Sequence, residues 1–224
     1  MNLYSYLEVN ICMSFQIPNW DLITKLYRQY LAFNPGDIGG GLKYSSIPKW
    51  MAERETAYKK FSTHFLKKNL SNVEHICMSY GRWLSAKNNK SWTNMQRVGV
   101  RALDQPEKLC QLLGLIQDES FSIIERVQKG LAGKYKVDGI DKGILTGLFH
   151  TLYPEKYGVW NGSTERTFRK LDIYVPGIFS AKRGLAYVRI NEILQKLAAE
   201  LEASLTYVDG FMWYVATQLS NSLK

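Results

Sequence analysis

Cysteine is scarce in this chain. Cys12, Cys77 and Cys110 are an odd number, far apart, with no C-x-x-C pair and no histidine at ligand spacing. That pattern argues against a disulfide framework and against a zinc site, and reads as small buried apolar residues in a reducing compartment. Histidine is as thin: His64, His75 and His150 are scattered. No apolar run approaches the ~18 residues of a membrane span. The opening stretch MNLYSYLEVNICMSFQIP lacks a basic leader and carries Glu8, so it makes a poor signal peptide. Strand patterns, internal repeats and low-complexity segments are nearly absent. These absences predict an intracellular, cytoplasmic protein without membrane association, metal or cofactor.

What is present is core material and positive charge. In 224 residues, 46% are hydrophobic and 13% aromatic, enough for one good-sized core or two small ones. There are 29 Lys and Arg against 20 Asp and Glu, giving +9 and a pI near 9.3. Such an excess favours an anionic partner, either nucleic acid such as double-stranded DNA or an acidic membrane surface.

The apolar spacing is helical almost throughout, which predicts an all-α, multi-helix fold. Leu22, Ile23, Leu26, Tyr27, Tyr30 and Leu31 mark a first helix, with Asn19 or Asp21 as its cap. Residues 34–46 are dense in turn formers, and Pro48 suits the first turn of a helix over about 47–67. The Gly39-Gly40-Gly41 triplet lacks the Lys-Ser/Thr and preceding strand of a phosphate cradle and reads as a connector. Further helices are expected over 71–86, 91–103, 105–116, 119–132 and 142–152. A Gly/Pro loop at 174–184 precedes an amphipathic helix built on Ile190, Ile193, Leu194, Leu197 and Leu201, and Asp209 is expected to open the last helix beside Trp213. The best seam lies at 131–137, giving helical lobes 1–133 and 134–224 of what can equally be one domain.

One stretch carries more information than the rest: GIDKGILTGLFHTLYPEKYGVWNGSTERTFRKL, residues 139–171. Gly139-Ile140-Asp141 forms a short turn between two helices, with Lys134, Lys136 and Lys142 around it. Such a turn aims the N–H groups of the second helix outward, where they and the helix dipole suit an anion such as a DNA phosphate. The same residues also suit a plain αα-hairpin with Asp141 as N-cap.

Residues 119–171 resemble the helix-hairpin-helix segment of the DNA glycosylase superfamily that includes the endonuclease III-like enzymes. In that family a G-x-G hairpin leads into a helix, a loop, and an aspartate that opens the next helix. The resemblance sets Gly139-Ile140-Asp141 at the hairpin and Ile144, Leu145 and Thr146 on the second helix. It puts Asn161 at the aspartate's place and Gly143 where bifunctional members carry a lysine nucleophile, with Lys142 one residue early. It implies DNA binding through Lys134, Lys136, Gly139, Ile140, Asp141, Lys142, Gly143 and Trp160, with Trp160 and Tyr157 also readable as base-stacking groups or as core.

The departures bear on catalysis. Departure of a base leaves positive charge on the sugar, and a carboxylate stabilises it or activates water, whereas an amide does neither. Asn nevertheless caps a helix as well as Asp does, so Asn161→Asp is expected to cost little. Glu165, Asp172 and Asp209 are the acids that could substitute, Asp209 being the candidate retained. Three readings result: a DNA-binding protein of glycosylase-like architecture without base excision, serving DNA processing, repair or defence; an active, divergent glycosylase; or an all-α module whose basic surface meets a protein partner in such a system. The balance favours binding over enzymatic activity.

Overall fold

The computed structural model describes residues 17–37, 43–86, 98–175 and 182–219. Among them are nine α-helices: α1 (Trp20–Ala32), α2 (Ile47–Phe65), α3 (Val73–Ser85), α4 (Pro106–Ile116), α5 (Ile123–Leu131), α6 (Lys142–Leu152), α7 (Gly162–Lys170), α8 (Arg183–Glu200) and α9 (Leu205–Gln218). Single 3-10 turns lie at Lys67–Asn69, Val100–Asp104 and Gly133–Tyr135. The only strand pairing among the described residues is two residues long on each side, Gly36–Asp37 antiparallel to Lys43–Tyr44. The fold class is therefore all-α. No described helix is long and apolar enough to cross a membrane.

Most helix starts follow local chemistry. Asn19, Ser46 and Asn72 each accept a backbone N–H at the start of α1, α2 and α3, and Pro48 and Pro106 sit in first turns, where no N–H is missed. Two starts differ from expectation. The helix expected from 119 begins at Ile123, because Ser122 and Glu125 form a reciprocal capping box. Asp118 instead closes a local turn on Ser120. The last helix opens at Leu205 rather than at Asp209, because the Ser204 hydroxyl accepts from Tyr207 N–H. Asp209 thus lies inside α9, one turn beyond its start. The Gly39-Gly40-Gly41 triplet, residues 91–97 of the helix expected over 91–103, residues 176–181 of the Gly/Pro loop, and Cys12 fall outside the described residues.

Helix α6 lies at the centre: every residue from Gly143 to Thr151 is buried, as expected of a helix apolar on all sides. It packs on α2 and α5; α5 in turn packs on α8, and α9 packs on α7, α8, α2 and α1. One hydrophobic cluster takes in residues from Ile17 to Val215, drawing on both sides of the 133/134 seam. Helices from the beginning of the chain therefore meet helices from its end, and that meeting builds the site described next.

Candidate functional site

Helices α5 and α6 follow one another and pack together. Helix α5 ends at Leu131, the chain turns through Gly133–Tyr135 and Gly139, and α6 starts at Lys142. Gly139 has φ +85°, a backbone conformation that side chains resist, and a Cβ there would overlap the Val98 carbonyl oxygen. The turn is thus packed on residues 98–102 through its glycine, while Ile140 fills the core at 4% exposure. Asp141 folds back as N-cap, its Oδ1 accepting Ile144 N–H at 2.9 Å.

The cations around the turn are not equivalent. Lys134 and Lys136 are exposed, Lys134 with its ammonium 4.9 Å from the Tyr135 ring. Lys142 is engaged: it forms an ion pair with Glu165 of α7 and stands 5.0 Å from the Trp160 ring centre. Glu165 Oε1 also accepts Trp160 Nε1–H at 2.9 Å, so this acid is committed to structure. Lys170 is committed too, donating to the carbonyls of Val215, Ala216 and Leu219 at the end of α9. Asp172 stands exposed beyond α7 with φ +53°.

The aromatic residues expected near Asn161 are core residues. Trp160 is fully buried, with Lys142 and Arg183 over its ring. Tyr157 is buried, and its hydroxyl accepts from Arg126 at 2.9 Å. As folded, neither ring presents a free face to a base. Of the two readings of Trp160, base-stacking group or core residue, the packing favours the core: the apolar sequence V-W before a cap fixes the entry of α7, and the indole N–H donates to Glu165 inside the fold.

Asn161 is the N-cap of α7. Its Oδ1 accepts from Ser163 N–H at 2.8 Å and Thr164 N–H at 3.0 Å, and the Thr164 hydroxyl returns to Asn161 N–H as a capping box. The loop before it is pinned to α6, since Trp160 N–H donates to the Thr146 hydroxyl at 2.9 Å. Gly143 lies directly across: a Cβ on Gly143 would sit 3.4 Å from Asn161 Cβ. With two N–H groups on one oxygen, Asn161→Ala is expected to cost about 1 kcal/mol, read as a lower urea midpoint at unchanged slope.

The fixed Oδ1 leaves Asn161 Nδ2 pointing the other way, and it donates to Asp209 Oδ1 at 3.4 Å. The two polar candidates of the sequence, 48 residues apart, therefore meet. Asp209 is 5% exposed, and its other oxygen binds the Arg54 guanidinium of α2 at 2.6 Å. Arg54 is buried as well, donates to Tyr58 at 2.7 Å, and lies near the rings of Trp50 and Tyr58.

His150 of α6 completes the cluster. Its ring stands edge-on to Tyr58, centroids 5.1 Å apart. Nδ1 lies 2.7 Å from the Tyr157 carbonyl, which can only accept, so Nδ1 carries the proton and Nε2 accepts from the Thr206 hydroxyl at 3.1 Å. Burial pushes the imidazole down to about 4, with the Tyr157 hydrogen bond opposing it, and the ring is neutral at physiological pH. Burial also holds the Tyr58 and Tyr30 hydroxyls above the ordinary phenol value.

Arg54, Tyr58 and His150 were missed by sequence reasoning, and a signal existed. Ile47, Trp50, Met51, Arg54, Tyr58 and Phe65 recur at helical spacing, so Arg54 stands on the apolar face of α2. His150 lies inside a run of buried residues. A charge or imidazole on an apolar face must find a partner in the core. Among the described residues no group of three or more His, Cys, Asp or Glu is placed to hold a metal ion. No family model, curated protein or solved structure matches the chain.

Proposed function

We propose that this chain is a duplex-DNA-binding protein of helix-hairpin-helix glycosylase-like architecture that does not excise bases, acting in DNA processing, repair or defence. The observation that supports this most is the juxtaposition of Gly143 and Asn161. These are the positions to which the resemblance assigns a lysine and an aspartate, and they face each other as glycine and amide. The arrangement retains a hairpin and a capped helix and lacks both the amine nucleophile and the carboxylate. The acid that Asn161 donates to, Asp209, is held by Arg54 and is almost inaccessible, and Asp141 is folded back on Ile144 N–H as a cap. A departing base would leave its positive charge without a free anion beside it.

The DNA contact is assigned to the exposed Lys134 and Lys136 beside the hairpin. Charge in that position suits phosphate rather than base edges, so binding is expected to be insensitive to sequence. Replacing both with Gln flattens the log–log salt dependence of duplex binding by up to ~2 units, at ~0.9 per phosphate contact. Lys142→Gln changes the slope little, because Glu165 already neutralises that ammonium. An unchanged slope in the Lys134/Lys136 variant would move the interface elsewhere, to the exposed Arg166 and Arg169 of α7 first. Incubation with duplexes carrying damaged bases tests the other half of the proposal: no abasic sites are expected. Excision that survives Asn161→Ala would overturn the non-catalytic reading.

A further inference from the structure

We infer that Asp209 holds the buried negative charge in contact with Asn161, and that this contact is what requires an uncharged residue at position 161. Asn161 Oδ1 is committed to two backbone N–H groups at 2.8 and 3.0 Å, so the orientation of the amide is fixed. Its other terminal atom must face Asp209 Oδ1, 3.4 Å away. An amide nitrogen there donates a hydrogen bond. A carboxylate oxygen there would meet a second carboxylate oxygen with no proton between them.

The rest of the cluster cannot absorb a second charge. The ionisable groups facing Asp209 are Arg54 and Tyr58 from α2, Tyr30 from α1 and His150 from α6. Between pH 5 and 8 the tyrosines are protonated and His150 is neutral, so Arg54 is their only cation. One guanidinium, already bound to Asp209 at 2.6 Å, balances one carboxylate. Lys142 is nearby on α6 but is paired with Glu165, and Asp141, the N-cap of α6, lies beside Gly143 on the Asn161 side and adds negative charge, not positive. Two carboxylates at this spacing share one proton, and the pair releases it only well above the ordinary carboxylate range.

By this inference Asn161→Asp is costly, whereas capping alone leads one to expect it to be nearly silent. Asp caps as well as Asn, but capping is not the only duty of this side chain. It also shifts the meaning of the amide at 161: the negative charge is not lost from the site but stands one helix away, fixed by Arg54.

The test is thermal unfolding of wild type, Asn161→Asp and the exchanged pair Asn161→Asp/Asp209→Asn at pH 5 and pH 8. In Asn161→Asp the native state keeps a proton that the unfolded chain releases near pH 4, so its stability falls as pH rises toward the raised native value. Its melting temperature is therefore expected to lie further below wild type at pH 8 than at pH 5, and Asp209→Asn in that background is expected to raise it at pH 8. A deficit equal at both pH values overturns the inference. If Asn161→Asp fails to fold at either pH, the exchanged pair must restore folding, and a failure to restore it overturns the inference equally.

Discussion

Asp209→Ala is expected to cost about 3–5 kcal/mol, because it leaves the Arg54 guanidinium buried without a counter-charge. Arg54 is 1% exposed, and its other partners, the Tyr58 hydroxyl, the Met51 sulfur and two aromatic faces, carry no formal charge to balance it. The charge cannot escape by deprotonation, since a guanidinium stays ionised. Removing both partners is a different case. Arg54→Met combined with Asp209→Leu fills similar volume with apolar atoms and is expected to cost far less than Asp209→Ala alone. Urea unfolding of the three proteins checks this, and a loss below about 1 kcal/mol in Asp209→Ala would show that Arg54 reaches solvent or another anion.

Acidification produces the second large effect, through His150. The unfolded imidazole takes a proton near pH 6.5, whereas the native one is held down to about 4 by burial. Above pH 6.5 the ring is neutral in both states and pH has no effect through it. Between about 6.5 and 4 the unfolded chain binds the extra proton, so stability declines as pH falls, by about 3 kcal/mol over that window. Protonation would force Nε2 to donate toward Thr206 and would add a cation close to Arg54. Urea midpoints measured from pH 7 to pH 4 are expected to drop steadily. In His150→Gln, whose side chain does not titrate, most of that drop disappears while the midpoint at pH 7 is already lower. An identical pH profile in the variant would assign the decline to other groups.

How much of this was legible beforehand depends on how local the cause is. Helix α6 was read to the residue, because Asp141 caps it and Pro154 closes the segment beyond it. The Asn161 cap was equally readable, since its partners Ser163 and Thr164 are two and three residues away. Asp209 was misplaced as a helix opener because Ser204, five residues earlier, offered the same signal and won. Its real partner, Arg54, is 155 residues distant, and no local pattern joins them. The same limit applies to Lys142 and Glu165: the lysine's charge was plain, but that it is spent inside the fold depends on how α7 returns to α6. Trp160 illustrates the point from the other side, because an indole before a cap is compatible with stacking on a base or with the core until its Nε1 partner is seen. Local capping fixed the helices, and long-range pairing fixed the site.

Duplex binding itself is the most direct test of the central claim, that the hairpin grips DNA through its backbone. The measurement is fluorescence anisotropy of a plain 20-base-pair duplex titrated with the wild-type protein between ~50 and ~200 mM salt, where released counterions dominate the response. The expected result is binding that weakens linearly in log–log form, with a slope of at least ~2 units and the same affinity for unrelated sequences. Absence of binding at the lowest salt, or an affinity that does not change with salt, would contradict it.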